Sequence, residues 1–182
     1  MAVQATDLKF YRSIGASTSA NNSLAGTVTS LGGAIDVDHE IISGVTHALF
    51  DAVPSSEATT GRVEYRCVYI VNTNTVPQTL YNAKVYFNNL MTLNQSEIHI
   101  ALDAAGVGLD SSITLIDEID SSSKLSGFTW LAANTIATGL LIGDMTGAGA
   151  SKKAVWIRRT IKAGAEAGRE SVMLRVVGDT DV

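Results

Sequence analysis

The sequence predicts an all-β protein, an antiparallel β-sandwich with an extended N-terminal segment. Three observations predict it. Apolar and polar residues alternate with period two in several short runs. Those runs are separated by turns bearing Asn, Ser or Gly. No stretch of a dozen residues sustains apolar positions at helical spacing. The alternation does not fix strand order, so immunoglobulin-like and jelly-roll topologies are both open.

In chain order, residues 8–14 read as a first strand. Residues 15–30 are rich in Ser, Thr, Asn, Ala and Gly and hold few groups able to anchor a core. They read as a loop, or as an arm that orders across a partner. Gly32-Gly33-Ala34-Ile35 and Ala48-Leu49-Phe50 return to apolar character. Residues 1–50 therefore form a strand plus a loop or arm that returns into the sandwich, and residues 51–182 form the sandwich itself.

Residues 64–71, rich in β-branched and aromatic side chains, read as a strand ending at Asn72-Thr73-Asn74. The connection 72–78 is short enough for a hairpin or for a crossing between sheets. In residues 80–87, Leu80, Ala83, Val85 and Phe87 share the buried face, and the slip near Asn82 marks a bulge. Residues 97–102 place Ile98, Ile100 and Leu102 opposite Glu97, His99 and Ala101. Residues 112–119 offer a further strand, broken by Ser121-Ser122-Ser123. Residues 128–131 form a short strand or a plug for the end of the core. Residues 139–143 lead into 144–151, read as a hairpin loop. Residues 153–161 set Val155, Ile157 and Arg159 against Ala154, Trp156 and Arg158. A turn over 163–168 joins them to residues 171–178, and these last two strands are expected to form a hairpin.

Composition bounds the function. Hydrophobic residues make up 46%, enough for a real core, while charged residues make up only 17%. A surface poor in charge and rich in small polar residues suits contact with other protein. The net charge of −5 excludes a general nucleic-acid binder, which needs clustered Lys and Arg. The basic residues do gather late, at Lys152, Lys153, Arg158, Arg159, Lys162, Arg169 and Arg175. They are countered by Glu97, Asp103, Asp110, Asp117, Glu118 and Asp120. These charges either pair within one subunit or steer assembly between subunits. Met1 to Asp7 has no signal-peptide character and no apolar run is long enough to span a membrane, so synthesis in a reducing cytoplasm is expected. Cys67, the only cysteine, reads as a small core hydrophobe.

The search for chemistry yields no catalytic, cofactor-binding or metal-binding residue. His39, His47 and His99 lack metal-like spacing, and one Cys excludes a cysteine-based zinc site. His99 lies on the outward face of its strand. The loop from Gly143 to Lys152 lacks the Gly-Lys-Ser/Thr ending of a phosphate loop. Asp117, Glu118 and Asp120 do not follow calcium-loop spacing. Tyr81, Tyr86, Trp130 and Trp156 are the aromatics able to stack on sugar rings, which keeps a carbohydrate-binding sandwich in view.

A resemblance sharpens the expectation. Glu64-Tyr65-Arg66-Cys67-Val68-Tyr69-Ile70-Val71-Asn72-Thr73 resembles a segment found in a group of tailed-bacteriophage virion structural proteins. The same group shows a Leu-Phe-Asp segment and a Glu-Ala-x-x-Gly turn, matched by Leu49-Phe50-Asp51 and by Glu57-Ala58-Thr59-Thr60-Gly61. Val155-Trp156-Ile157-Arg158-Arg159-Thr160, Ala163-Gly164 and Leu174-Arg175-Val176-Val177-Gly178-Asp179-Thr180 match its closing strands and turn. Leu8-Lys9-Phe10-Tyr11 and Gly32-Gly33-Ala34-Ile35 also fit, whereas residues 103–135 do not align. The resemblance implies a non-enzymatic virion component assembled in the host cytoplasm. Its partners would be the major capsid protein or other virion subunits and further copies of itself, with no nucleic acid, membrane or cofactor. A head decoration or cement protein is the first expectation, and a tail, baseplate or fibre module the alternative.

Overall fold

A computed structural model describes residues 2–15, 31–45, 48–88, 95–103, 119, 123–148, 151–166 and 170–180. The expected 112–119 strand and the 15–30 arm fall almost wholly outside these residues. A 3-10 turn, Ala5–Asp7, opens the chain. Then follow β1 (Leu8–Gly15), β2 (Ala34–Glu40), α1 (Ser55–Thr60), β3 (Arg62–Asn72) and β4 (Thr79–Asn88). After them come β5 (Ser96–Leu102), β6 (Leu140–Thr146), β7 (Lys152–Ile161) and β8 (Met173–Thr180). The protein is an antiparallel β-sandwich. One sheet has five strands in the order β2-β1-β3-β7-β5, the other three in the order β6-β4-β8.

Among the described residues, successive strands from β3 onward alternate between the two sheets. The 72–78 connection is therefore a sheet-to-sheet crossing. The same rule corrects two expectations. The loop after β6 does not close a hairpin, because β7 belongs to the other sheet. Nor do β7 and β8 pair: both edges of β7 are already taken, by β3 and β5, while β8 adds to β4. Burial gives the reason. Val155 and Ile157 face the core between the sheets, and Ala154 and Trp156 are equally buried on the opposite face. A strand apolar on both faces sits inside a sheet, where two neighbours leave no edge for a hairpin partner.

The main core fills the space between the sheets. Val68 and Ile70 of β3, Val85 and Phe87 of β4, Ile100 of β5, Met145 of β6 and Ile157 of β7 are buried there. The expected buried face of β4 is observed. So is the bulge: Asn82 has φ 50°, and register shifts against both neighbours fall at this point. A second cluster covers the outer face of the five-stranded sheet, where Cys67, Tyr69, Val71, Ala154 and Trp156 lie beneath Leu31 and Leu125. Leu31, Gly32 and Gly33 are held there in part by hydrogen bonds. Gly32 N donates to Ser13 Oγ at 3.0 Å, and the Tyr69 hydroxyl donates to the Gly33 carbonyl. Trp156 Nε1 donates to buried Asp103 at 2.7 Å. Residues 128–131 form no strand. Leu131 bridges to Ile100, while Phe128 and Trp130 pack against the outer-face cluster.

The two crossings at one end lean on each other. Gly147 N donates to the Gln78 carbonyl at 2.8 Å, and a Cβ at Gly147 would lie 2.4 Å from the Val76 oxygen. Only glycine lets these backbones approach so closely.

Candidate functional site

Among the described residues, a clasp of arginines stands on the core-facing side of the five-stranded sheet. Arg12, Arg66 and Arg159 stand on the adjacent strands β1, β3 and β7. Period-two alternation places them on the same face as Phe10, Val68 and Ile157, because even offsets share a face. Each reaches the segment that precedes α1. Arg12 Nη2 donates to the Ala48 carbonyl at 2.9 Å, Arg66 Nε to the Leu49 carbonyl at 3.0 Å, and Arg159 Nη1 to the Asp51 carbonyl at 3.2 Å. Phe50, buried among the core residues, lies under two of them, with the Arg66 and Arg159 guanidinium carbons 5.0 and 4.5 Å from its ring centroid. Such stacking on an aromatic face is attractive and strongest where water is excluded.

Carboxylates complete the clasp. Glu64, 1% exposed, sits directly opposite Arg159 in the β3–β7 ladder and accepts from both its Nε, at 2.7 Å, and its Nη2. Asp51 Oδ1 lies 3.7 Å from Arg66 Nη2 and 3.6 Å from Arg159 Nη2. Arg62 bonds Glu57 of α1, and Gly61, at φ 75°, lets the helix turn into β3. Burial and the neighbouring Arg66 lower the pKa of Arg12, burial being the larger cause. The arrangement holds; it has no nucleophile among its members. Guanidinium groups stay charged and planar, which suits them to fix backbone carbonyls in place.

Several of the residues on which the sequence resemblance rests meet here. Leu49-Phe50-Asp51, the Glu57 to Gly61 turn, Glu64 and Arg66 of β3, and Arg159 of β7 are dispersed in sequence and adjacent in space. The Ala163-Gly164 turn joins them, since Gly164 N donates to the Ala58 carbonyl at 2.9 Å. Sequence reasoning placed Arg159 with Val155 and Ile157 but did not see the clasp. The available signal was the presence of Glu64 and Arg66 at the same parity as Val68 and Ile70.

The other singled-out residues are spread over the fold. His39 bonds Asp36 at 2.7 Å on an exposed bulge. His99, half-buried, stands opposite Arg158 in the β5–β7 register. Burial, and next the Arg158 charge, lower its pKa. Arg158 in turn lies over the Trp130 ring at 4.8 Å, with Tyr65 and Phe128 packed beside that ring. Trp156 is fully buried and Tyr86 nearly so. The four aromatics thus make no coplanar stacking surface. Cys67 is 1% exposed, as expected of a core thiol. The late basic residues pair within the subunit where partners are described, Arg159 with Glu64 and Lys162 with Glu97. His47, Asp110, Asp117, Glu118, Asp120 and Arg169 lie outside the described residues. Among the described residues no cluster of His, Cys, Asp and Glu is suited to a metal ion, and no helix is long and apolar enough to cross a membrane. Among the described residues, two open clefts measure about 390 and 380 Å³. The first is lined by Leu102, Lys124, Phe128, Leu131 and Leu140 among others.

No family model matches the chain, and no curated protein matches it. A solved structure of a family 123 glycoside hydrolase from Clostridium perfringens, concerned with glycolipid glycan hydrolysis, is similar at 17% identity with a TM-score of 0.31. The likeness covers 67% of this chain and 19% of that enzyme, and at this level it carries no functional argument.

Proposed function

We propose that this chain is a non-catalytic structural subunit of a tailed-bacteriophage particle, and that it decorates the head by bridging capsid subunits. One observation carries the reading. Several of the residues that carry the resemblance to phage virion proteins, Leu49 to Asp51, Glu64, Arg66 and Arg159, converge on a clasp that fixes backbone, which suits a rigid structural module. The buried carboxylates fit the same role: Asp36 bonds His39, Glu64 bonds Arg159 and Asp103 bonds Trp156. Exposed Val37, Ile42, Val45, Leu141 and Met173 supply apolar surface of the kind subunit contacts bury.

Quantitative mass spectrometry of purified virions tests the proposal. Head decoration requires a copy number that scales with the major capsid protein. A few copies per particle would move the subunit to the tail, baseplate or fibre, and absence from purified particles would overturn the virion reading. A carbohydrate-binding role is disfavoured by the burial of Trp156 and Tyr86 and by the guanidinium over Trp130. A glycan array with no ligand above background is the expected result.

A further inference from the structure

A sandwich exposes four sheet edges, and three of them here carry a feature that discourages strand addition. On β2 the register jumps from Tyr11↔Glu40 to Arg12↔Asp36, which throws Val37, Asp38 and His39 out as a bulge. On β5 the outer edge is capped by Leu131, whose N–H and carbonyl both bond Ile100 at 2.9 Å. On β6 the ladder against β4 slips beside Gly143, which sits at φ 78°. The fourth edge is different. Against β4, residues Met173 to Val177 of β8 run in unbroken register. The slip beyond Val177 places its extra residue in β4, so β8 keeps its period of two to Thr180. Among the described residues no strand covers the outer edge of β8.

The side chains on that edge are self-complementary. Met173, Arg175 and Asp179 are exposed at odd positions of β8 and so share a face, whereas Leu174, Val176 and the half-buried Val177 pack against the core cluster. Arg175 and Asp179 are exposed. Among the described residues neither has an ion-pair partner, and Asp179 accepts only a long bond, 3.4 Å, from the Asn82 amide. We propose that β8 pairs antiparallel with β8 of a second copy about a two-fold axis through Val177. That register sets Arg175 of each copy against Asp179 of the other, twice over, with Val177 facing Val177. Opposite charges directly across an antiparallel pair attract and like charges repel. The three-stranded sheet then continues without a break into its partner's. This is an isologous interface, in which one patch serves both sides. It follows from the edge itself and does not depend on where the subunit sits in a particle.

Sedimentation equilibrium of the purified full chain is expected to show a dimer. Arg175→Asp and Asp179→Arg should each weaken it by about tenfold or more, because every substitution acts at two symmetric contacts. The double variant R175D/D179R restores the complementarity and should recover the wild-type constant. Val177→Cys is expected to form a covalent dimer on mild oxidation, since residues directly opposite bring their Cβ atoms to about 5 Å. Cys67, 1% exposed, does not compete. A monomeric wild-type chain would overturn the proposal. So would a dimer indifferent to the charge reversals, a double variant that fails to recover while remaining folded, or a Val177→Cys chain that stays uncrosslinked.

Discussion

Replacing Arg159 by Met tests the clasp at its centre. The substitution keeps most of the side-chain volume but removes both donors to Glu64, the donor to the Asp51 carbonyl and the guanidinium over Phe50. Glu64 remains 1% exposed, with Arg62 Nε at 3.8 Å as a distant cation. Breaking one side of a buried pair costs about 3–5 kcal/mol, because the surviving charge keeps its desolvation penalty. The Arg159 side chain is 15% exposed, which favours the lower end, about 3 kcal/mol. With a urea dependence of about 2 kcal/mol per molar, the unfolding midpoint should fall by about 1.5 M. The companion variant, Glu64→Leu with Arg159→Met, removes both charges and should regain more than half of that loss, since apolar replacement of a whole buried pair is often neutral. Denaturation followed by circular dichroism reads both. A loss below about 1 kcal/mol for Arg159→Met, or a double variant as unstable as the two single losses added, would show that the clasp is not held by this pair.

Three further outcomes follow from the packing. Ile157→Asp should abolish soluble folded protein, because it buries a carboxylate at a site with 0% exposure; a soluble, β-rich variant would contradict the strand facing. Cys67 should resist thiol reagents at neutral pH until the chain unfolds, since burial, with Asp103 nearby, pushes its thiol well above the usual range; labelling under native conditions as fast as in urea would refute this. His99 has its pKa depressed in the folded state, so the unfolded chain binds the proton more readily. Stability should therefore decline as pH falls through the unfolded value near 6.5 and level off below the folded one. Midpoints at about pH 7.5 and about pH 5.5 should differ less in His99→Gln than in the wild type, and equal shifts would remove His99 as the cause.

Much of the fold was legible in the chain because burial on one face leaves a period of two. Strand β4 shows it well: Leu80, Ala83, Val85 and Phe87 disclosed both the buried face and the bulge at Asn82. Pairing was less legible. Short loops after β6 and β7 invited hairpins, yet loop length does not say whether a chain turns back beside itself or steps to the other sheet. The information lay in β7, where Ala154 and Trp156 are as apolar as Val155 and Ile157 and so announce an interior strand. The clasp escaped notice because alternation counts apolar residues and treats Glu64 and Arg66 as outward by default, so Arg159, set with Val155 and Ile157, had no partner to meet. Their parity with Val68, Ile70 and Ile157 says the opposite, but only the register that sets Glu64 across from Arg159 makes an inward charge pair reasonable.

Strict alternation between layers from β3 to β8 also has a mechanical meaning. Every link in that stretch acts as a stitch through both sheets, so neither layer can lift away while the connections stay intact and folded. A cut between Asn72 and Gln78 would leave β1 to β3 as a fragment confined to the five-stranded sheet, joined to the rest through the β3–β7 ladder. From β4 to β8, by contrast, the strands of the two layers are threaded together and are built to part as one unit.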